Sequence, residues 1–133
     1  MPGAPLLVLR SPEGSLPILA VLVDRLEELG EVVPVPGAPP AIAGVTEVRS
    51  VVLTLLEPSA LPGWEPSPAP GGLPGPGLPA AVLRLAEPWR HLGIRVPPGS
   101  RVERAEGPRP GVLTPRRLAT ALGRIAAGHG AAP

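Results

Sequence analysis

Proline and glycine constrain this chain more than any other feature, with 23 Pro and 17 Gly among 133 residues. Proline ends helices and removes a hydrogen-bond donor from a sheet, and glycine weakens both elements, so regular elements must be short. Both residues concentrate in residues 62–79, which we predict to be a long surface loop. Apolar periodicity near both ends of the chain predicts one folded domain over residues 1–133, with residues 128–133 as a frayed tail.

The amino-acid alphabet is also narrow, because the chain contains no Cys, Tyr, Phe, Lys, Asn or Gln and a single Asp, Asp24. The absence of Cys excludes disulfides, thiolate metal ligands and cysteine nucleophiles. The two histidines, His91 and His129, have no carboxylate at the spacing of metal ligands. The composition therefore favours a protein without catalytic residues, metal or cofactor. High Ala, Gly, Pro and Arg content is typical of a high-GC bacterium.

The apolar pattern predicts strands that alternate with helices. Short apolar runs predict strands over residues 5–10, 48–56 and 80–85, and the near-continuous apolar character of the second is typical of burial on both faces. Leu and Val at three- and four-residue steps predict a helix over residues 15–30. An apolar stripe that follows the N-cap residue Thr114 predicts another helix over residues 114–127. This order predicts an α/β fold, a small flavodoxin-like open parallel sheet of four to five strands with few helices.

Four segments follow the layout of the receiver domains of two-component signalling: PLLVLR, VVLTLLEP, PAAVLRLA and LTPRRLATALGRI. The chain resembles that family over nearly its whole length, which implies a ligand site at the carboxyl ends of the strands. Receiver chemistry needs acidic residues after the first and third strands and a lysine after the fifth. Here Ser11 and Glu57 follow those two strands and no lysine is present, so the resemblance implies a degenerate pseudo-receiver.

The segment VTEVRSVVLTLLEPSALPGWE is similar to a part of TIR domains in which a strand runs into Ser, a turn of small residues and then Trp. In this chain residues 51–56 are the strand, Ser59 is the serine and Trp64 is the tryptophan. Enzymatic TIR domains carry a helical glutamate shortly after the tryptophan and use it to cleave NAD. Here Glu65 follows Trp64 directly, and Pro66 prevents the helix that would orient it. This TIR-like segment therefore implies a scaffold-type role.

Charge is divided unevenly along the chain, although the net charge is only +1. Residues 1–65 hold three Arg and eight acidic residues, whereas residues 66–133 hold nine Arg and three acidic residues. This asymmetry indicates either an interaction face or two halves that attract each other within one fold. The candidate interaction residues are Arg116, Arg117 and Arg124, which lie outside the apolar stripe of the predicted last helix. Arginines scattered among Pro and Gly, without Lys, do not favour nucleic-acid binding.

No apolar stretch reaches the roughly 18 residues of a membrane-spanning helix. No basic region precedes the first apolar run, as it would in a signal peptide. The sequence therefore predicts a cytoplasmic protein that does not enter a membrane.

These observations together predict a non-catalytic protein-interaction or assembly domain, which binds a protein partner or self-associates into an oligomer. The alternative hypothesis is a TIR-like or receiver-like domain that handles a nucleotide or a phosphoryl group. Its ligand would bind near the carboxyl ends of the strands, at Ser11, Glu57, Trp64 and Glu65.

Overall fold

The computed structural model describes residues 4–67, 77–107 and 109–127, and these residues form mostly β-structure. The strands are β1 (Leu6–Ser11), β2 (Gly14–Leu19), β3 (Val23–Glu28), β4 (Ile42–Val48), β5 (Val51–Leu56), β6 (Glu65–Pro66), β7 (Ala81–Leu85), β8 (Leu92–Val96) and β9 (Arg101–Ala105). One α-helix, α1 (Pro115–Ala126), follows them within the described part of the chain.

The strands form two sheets. The first sheet has the order β6–β2–β1–β9 and its neighbouring strands are antiparallel. The second sheet has the order β3–β7–β8–β5–β4, and in it β5 and β8 run parallel while the other neighbours are antiparallel. The two outer strands of the second sheet, β3 and β4, lie close together. This is shown by the ion pair between Glu27 of β3 and Arg49, which directly follows β4. The second sheet therefore curls on itself.

The prediction of a flavodoxin-like α/β fold is wrong. A flavodoxin-like sheet is parallel and has helices in its crossovers, whereas these two sheets are mainly antiparallel and α1 follows the last strand. Individual elements were nevertheless correct: the strands predicted over residues 5–10 and 80–85 correspond to β1 and β7, and the last predicted helix is α1. The error lay in how the elements connect.

The helix predicted over residues 15–30 is replaced by β2, a 3₁₀ turn at Ala20–Leu22 and β3. The backbone of β2 pairs with β1 and that of β3 pairs with β7, so non-local partners satisfy groups that a helix would satisfy locally. The carbonyl of Pro17 in β2 accepts from Leu113 N at 2.8 Å, so both the carbonyl and the nitrogen of this residue face away from β1. Pro17 is therefore tolerated, because the ladder with β1 needs no donor at this position.

The strand predicted over residues 48–56 corresponds to β5 from Val51 onward, whereas Val48 ends β4 and a tight turn lies between the two strands. Arg49 and Ser50 both have positive φ, at 49° and 66°, and they join β4 to β5 with Val48 opposite Val51. Two-residue hairpin loops favour positive φ at both positions, which Asn-Gly or Asp-Gly sequences usually signal. Arg-Ser carries no such signal, so the sequence pattern does not separate Val48 from the apolar residues of β5.

Two apolar clusters fill the molecule. The larger cluster includes Leu9, Ile18, Leu83, Ile94 and Leu118, and it joins the first sheet and α1 to one face of the second sheet. The smaller cluster consists of Val48, Leu53, Leu55 and Val82 on the other face of the second sheet. The second sheet is therefore buried on both faces over much of β5 and β7, which explains their near-continuous apolar sequences.

Some predictions concern residues outside the described ranges. The tail at 128–133 and residues 68–76 of the predicted loop at 62–79 are among these. At the start of that loop, Glu65 and Pro66 form β6, which pairs with Gly14 and Ser15 of β2.

Candidate interaction groove beside the last helix

The helix α1 begins and is anchored as its sequence predicts. Thr114 is the N-cap, and its hydroxyl oxygen accepts from Arg117 N at 3.2 Å, while Pro115 takes the first helical position. Leu118 and Ile125 are buried in the larger cluster, and Leu122 is half-buried against it. Packing of this apolar stripe leaves the neighbouring helical surface facing outward.

A groove of about 780 Å³ lies along this outward surface. Its second wall comes from the start of β4 and from the segment that follows β5. The described residues that line it are Ala41, Ala60, Leu61, Pro62, Arg116, Arg117, Thr120, Ala121, Arg124 and Ile125. We call it the helix groove. All three arginines that the sequence proposed as interaction residues lie on it.

A close approach of two loops positions the wall opposite the helix. Gly63 has a φ of 98°, and a Cβ on Gly63 would collide with the carbonyl oxygen of Gly111. A side chain at Gly63 would therefore push the segment carrying Leu61 and Pro62 away from the loop that leads into α1. The width of the helix groove depends on this glycine.

The helix groove combines an apolar floor with unpaired positive charge. Ala41, Leu61 and Ile125 are buried, and they contribute apolar surface at its base. None of the lining residues is acidic, and within the described ranges Arg116 and Arg124 form no ion pair. Arginine here can donate to carboxylates while the floor accepts apolar side chains.

Arg117 is held differently from the other two groove arginines. Its Nη1 donates to Val112 O at 3.0 Å, which ties the guanidinium to the backbone just before the helix. The positive charge of the groove that no described hydrogen bond of a guanidinium restrains therefore comes from Arg116 and Arg124.

The residues of the alternative ligand site are only partly brought together. Ser11 and Glu65 line one small pocket of about 290 Å³ beside Arg10 and Ser15. The Ser11 hydroxyl is already engaged, because it accepts from Gly14 N at 3.1 Å and donates to Gly14 O at 3.0 Å. Ser11 therefore stabilises the β1–β2 turn.

Glu57 and Trp64 are also engaged in the fold. Both carboxylate oxygens of Glu57 accept from Arg95, at 2.7 Å from Nε and 2.8 Å from Nη2. The hydrogen bonds that Arg95 donates to Glu57 raise the pKa of Arg95, an effect that partial burial opposes. Trp64 packs against the larger cluster, with its ring over Gly14 where a Cβ would collide with it. Neither side chain is left unengaged for a ligand.

Sequence reasoning missed a buried ion-pair cluster between β3 and β7. Arg84 Nη1 donates to Glu27 Oε2 at 3.2 Å, and Arg49 pairs with the other carboxylate oxygen of Glu27. Burial raises the pKa of Glu27, but the hydrogen bonds from Arg49 and Arg84 outweigh it and lower the pKa from its ordinary value of 4.5. The available signal was a single arginine inside the apolar strand sequence AVLRL, which indicates a buried partner.

The described residues contain no group of three or more His, Cys, Asp or Glu that could hold a metal ion. In the same ranges, no helix has the length and apolar character needed to cross a bilayer.

Comparison with known proteins gives a fold likeness. No protein-family model matches the sequence, and no curated protein matches it. Among solved structures, the chain is similar to the scaffolding protein TtCheW from Thermoanaerobacter tengcongensis, with a TM-score of 0.54 and 14% sequence identity. The match covers 79% of this chain and 63% of TtCheW, so the chain spans less than two thirds of that protein's length. The resemblance to receiver and TIR domains is therefore wrong, since the fold is of the mostly β, CheW-like kind.

Proposed function

We propose that this chain is a non-catalytic protein-interaction domain that serves assembly, and that it binds its partner in the helix groove. The observation that carries this proposal is that Arg116 and Arg124, which form no ion pair with the described residues, lie beside the buried apolar floor of the groove. A surface of this kind suits a protein segment that presents acidic and apolar side chains together.

The fold supports the same proposal, because the structurally similar TtCheW is a scaffolding protein. The internal engagement of Ser11 and Glu57 adds to this support, since these side chains stabilise a turn and a strand end. A surface that recognises another protein needs no reacting group. It needs apolar contact area and charges placed to orient the partner.

A peptide probe tests the groove directly. The probe is a fluorescein-labelled amphipathic peptide of Leu and Glu, about 18 residues long, which makes five helical turns. We expect fluorescence anisotropy to show saturable binding that weakens as salt is added, because salt screens exposed charges. A peptide of the same pattern with Arg in place of Glu is the matched ligand control and should bind at least about tenfold more weakly.

Charge reversal locates the binding site. The double variant Arg116→Glu and Arg124→Glu should bind the acidic peptide with an affinity about tenfold lower, or lower still. The matched control is Arg90→Glu with Arg104→Glu, which changes net charge equally at exposed positions outside the groove. Equal peptide affinity for the two double variants, or no binding by the unmodified chain, would contradict the proposal.

A further inference from the structure

A second surface of this chain has the opposite character to the helix groove. Leu26, Glu28 and Glu47 line a groove of about 670 Å³ between β3 and the β4–β5 hairpin. Val52 lies directly opposite Glu47 in the hairpin, so these two side chains project from the same face of the sheet. We call these four residues, Leu26, Glu28, Glu47 and Val52, the acidic valine face.

The acidic valine face is unusually apolar for exposed surface. Val52 is 62% exposed and Leu26 is 40% exposed. Within the described ranges, all of the large apolar side chains that are exposed lie between Val21 and Val52, in the acidic half of the chain. Clustered exposed apolar side chains mark surfaces that other molecules cover.

The charge of this face is available to a partner. The groove beside it is lined by three carboxylates and two arginines, whereas the helix groove is lined by three arginines and no carboxylate. Both arginines already have an acidic partner inside the molecule, Arg25 in Asp24 and Arg49 in Glu27, a carboxylate that Arg84 shares. Within the described residues Glu28 and Glu47 form no ion pair, so their charge is left for contacts outside the chain.

We propose that the partner of the helix groove is a second copy of this chain, which inserts its acidic valine face. This inference rests on the proposed function of the groove. The two surfaces complement each other in charge, since Arg116 and Arg124 would meet Glu28 and Glu47. They also complement each other in polarity, because Val52 and Leu26 would cover the apolar floor of the groove.

The contact is head-to-tail, because it joins two different surfaces. Each added copy leaves one helix groove and one acidic valine face open, so assembly continues until it closes as a ring or extends as a filament. A chain that self-associates in this way is a scaffold built from repeated copies of itself.

Charge exchange between two variants tests the proposal. The first variant carries Arg116→Glu and Arg124→Glu, so that both of its surfaces are acidic. The second carries Glu28→Arg and Glu47→Arg, so that both are basic. Sedimentation velocity at low salt should show assemblies of the unmodified chain, monomers of each variant alone, and restored assemblies when the two variants are mixed.

Two controls separate this result from general charge effects. Arg90→Glu with Arg104→Glu, outside both surfaces, should leave assembly unchanged. Val52→Thr keeps the β-branched shape and adds a hydroxyl, and it should weaken assembly without changing the thermal melt of the monomer. Raising salt to about 1 M, where the screening length is about 3 Å, should dissociate the assemblies of the unmodified chain.

Three results would overturn the proposal: an unmodified chain that stays monomeric at low salt, a variant that assembles alone, or a mixture that stays monomeric. The peptide titration then decides the status of the groove. If the Leu and Glu peptide still binds the groove in a charge-dependent way, the partner is another protein and the proposed function stands. If that peptide also fails to bind, both proposals are wrong.

Discussion

The arginines of the second sheet and those of α1 are placed in opposite ways. Arg84 and Arg95 are largely buried in the sheet, and each pairs with a glutamate, Glu27 and Glu57 respectively. Arg116 and Arg124 are exposed on the helix and have no acidic partner within the described residues. A buried charge requires an internal partner because it has lost water, whereas an exposed charge keeps its hydration and remains available to other molecules. Arg84 and Arg95 therefore stabilise the fold, whereas Arg116 and Arg124 contribute positive charge to the surface of α1.

The strongest way to break the comparison is to remove the anchor that holds α1 on the core. Leu118 is fully buried in the larger cluster, so Leu118→Ala should lower the free energy of unfolding by about 2–5 kcal/mol. Urea denaturation followed by circular dichroism measures this change. The neighbouring Ala119→Ser, at an exposed position of the same helix, is the control. A loss for Leu118→Ala as small as that of the control would mean that α1 does not pack as described.

The next effect concerns the buried arginine of β7. Arg84→Met keeps a long, unbranched side chain at this position but removes the guanidinium, which is one of the two partners of Glu27. We expect a clear loss of unfolding free energy, because the buried carboxylate keeps a single partner, the exposed Arg49. The matched control, Arg104→Met at an exposed position of β9, should change the unfolding free energy by no more than about 0.5 kcal/mol. Equal losses in both variants would remove the distinction between the two kinds of arginine.

Acid should act on the sheet cluster through Glu27. Its folded-state pKa is below the ordinary value of 4.5, so its ion pairs stabilise the fold above that value. This stability is lost as the pH falls through the lowered folded-state pKa. Glu27→Gln should therefore be less stable at neutral pH and should lose less further stability on acidification, as measured by urea denaturation from pH 7 to about pH 3. Parallel curves for the variant and the unmodified chain would show that Glu27 is not coupled to folding.

The smallest effect on stability is expected at the helix groove. Arg116→Glu and Arg124→Glu should each change the unfolding free energy by no more than about 0.5 kcal/mol, because both side chains are exposed and form no ion pair with another described residue. The same two substitutions should have the largest effect on binding. A large loss of stability in thermal melts would assign these arginines to the fold and weaken their proposed role in recognition.

Local signals account for what the sequence predicted well. The Thr114 cap, Pro115 and the apolar stripe all lie within one helix, so α1 and the arginines on its surface could be placed without knowing the fold. The opposite wall of the helix groove could not be placed. Ala41 and Leu61 are distant in sequence, and nothing in their neighbourhoods indicates that they face the last helix.

The prediction of a helix over residues 15–30 was wrong because non-local contacts, not local ones, determine the structure there. The leucine spacing of these residues satisfies a helical period, yet the backbone found its partners in β1 and β7, which lie outside any local window. The hairpin at Arg49 and Ser50 was missed because positive φ occurred without glycine or asparagine to signal it. The helix assigned to residues 15–30 made the order of elements resemble alternating strands and helices, and this produced the flavodoxin-like prediction.

The sequence by itself determined the narrow chemistry of this protein, the strands β1 and β7, the helix α1 and the positive charge on that helix. These features follow from the residue types and from contacts between residues a few positions apart, and such contacts are visible in the local sequence pattern. Only the tertiary structure decided which strands pair, that Glu27 lies between Arg49 and Arg84, and that an apolar floor lies beside Arg116 and Arg124. Strand pairing and groove formation depend on the free energy of contacts between distant segments, and those contacts leave no periodic trace along the chain.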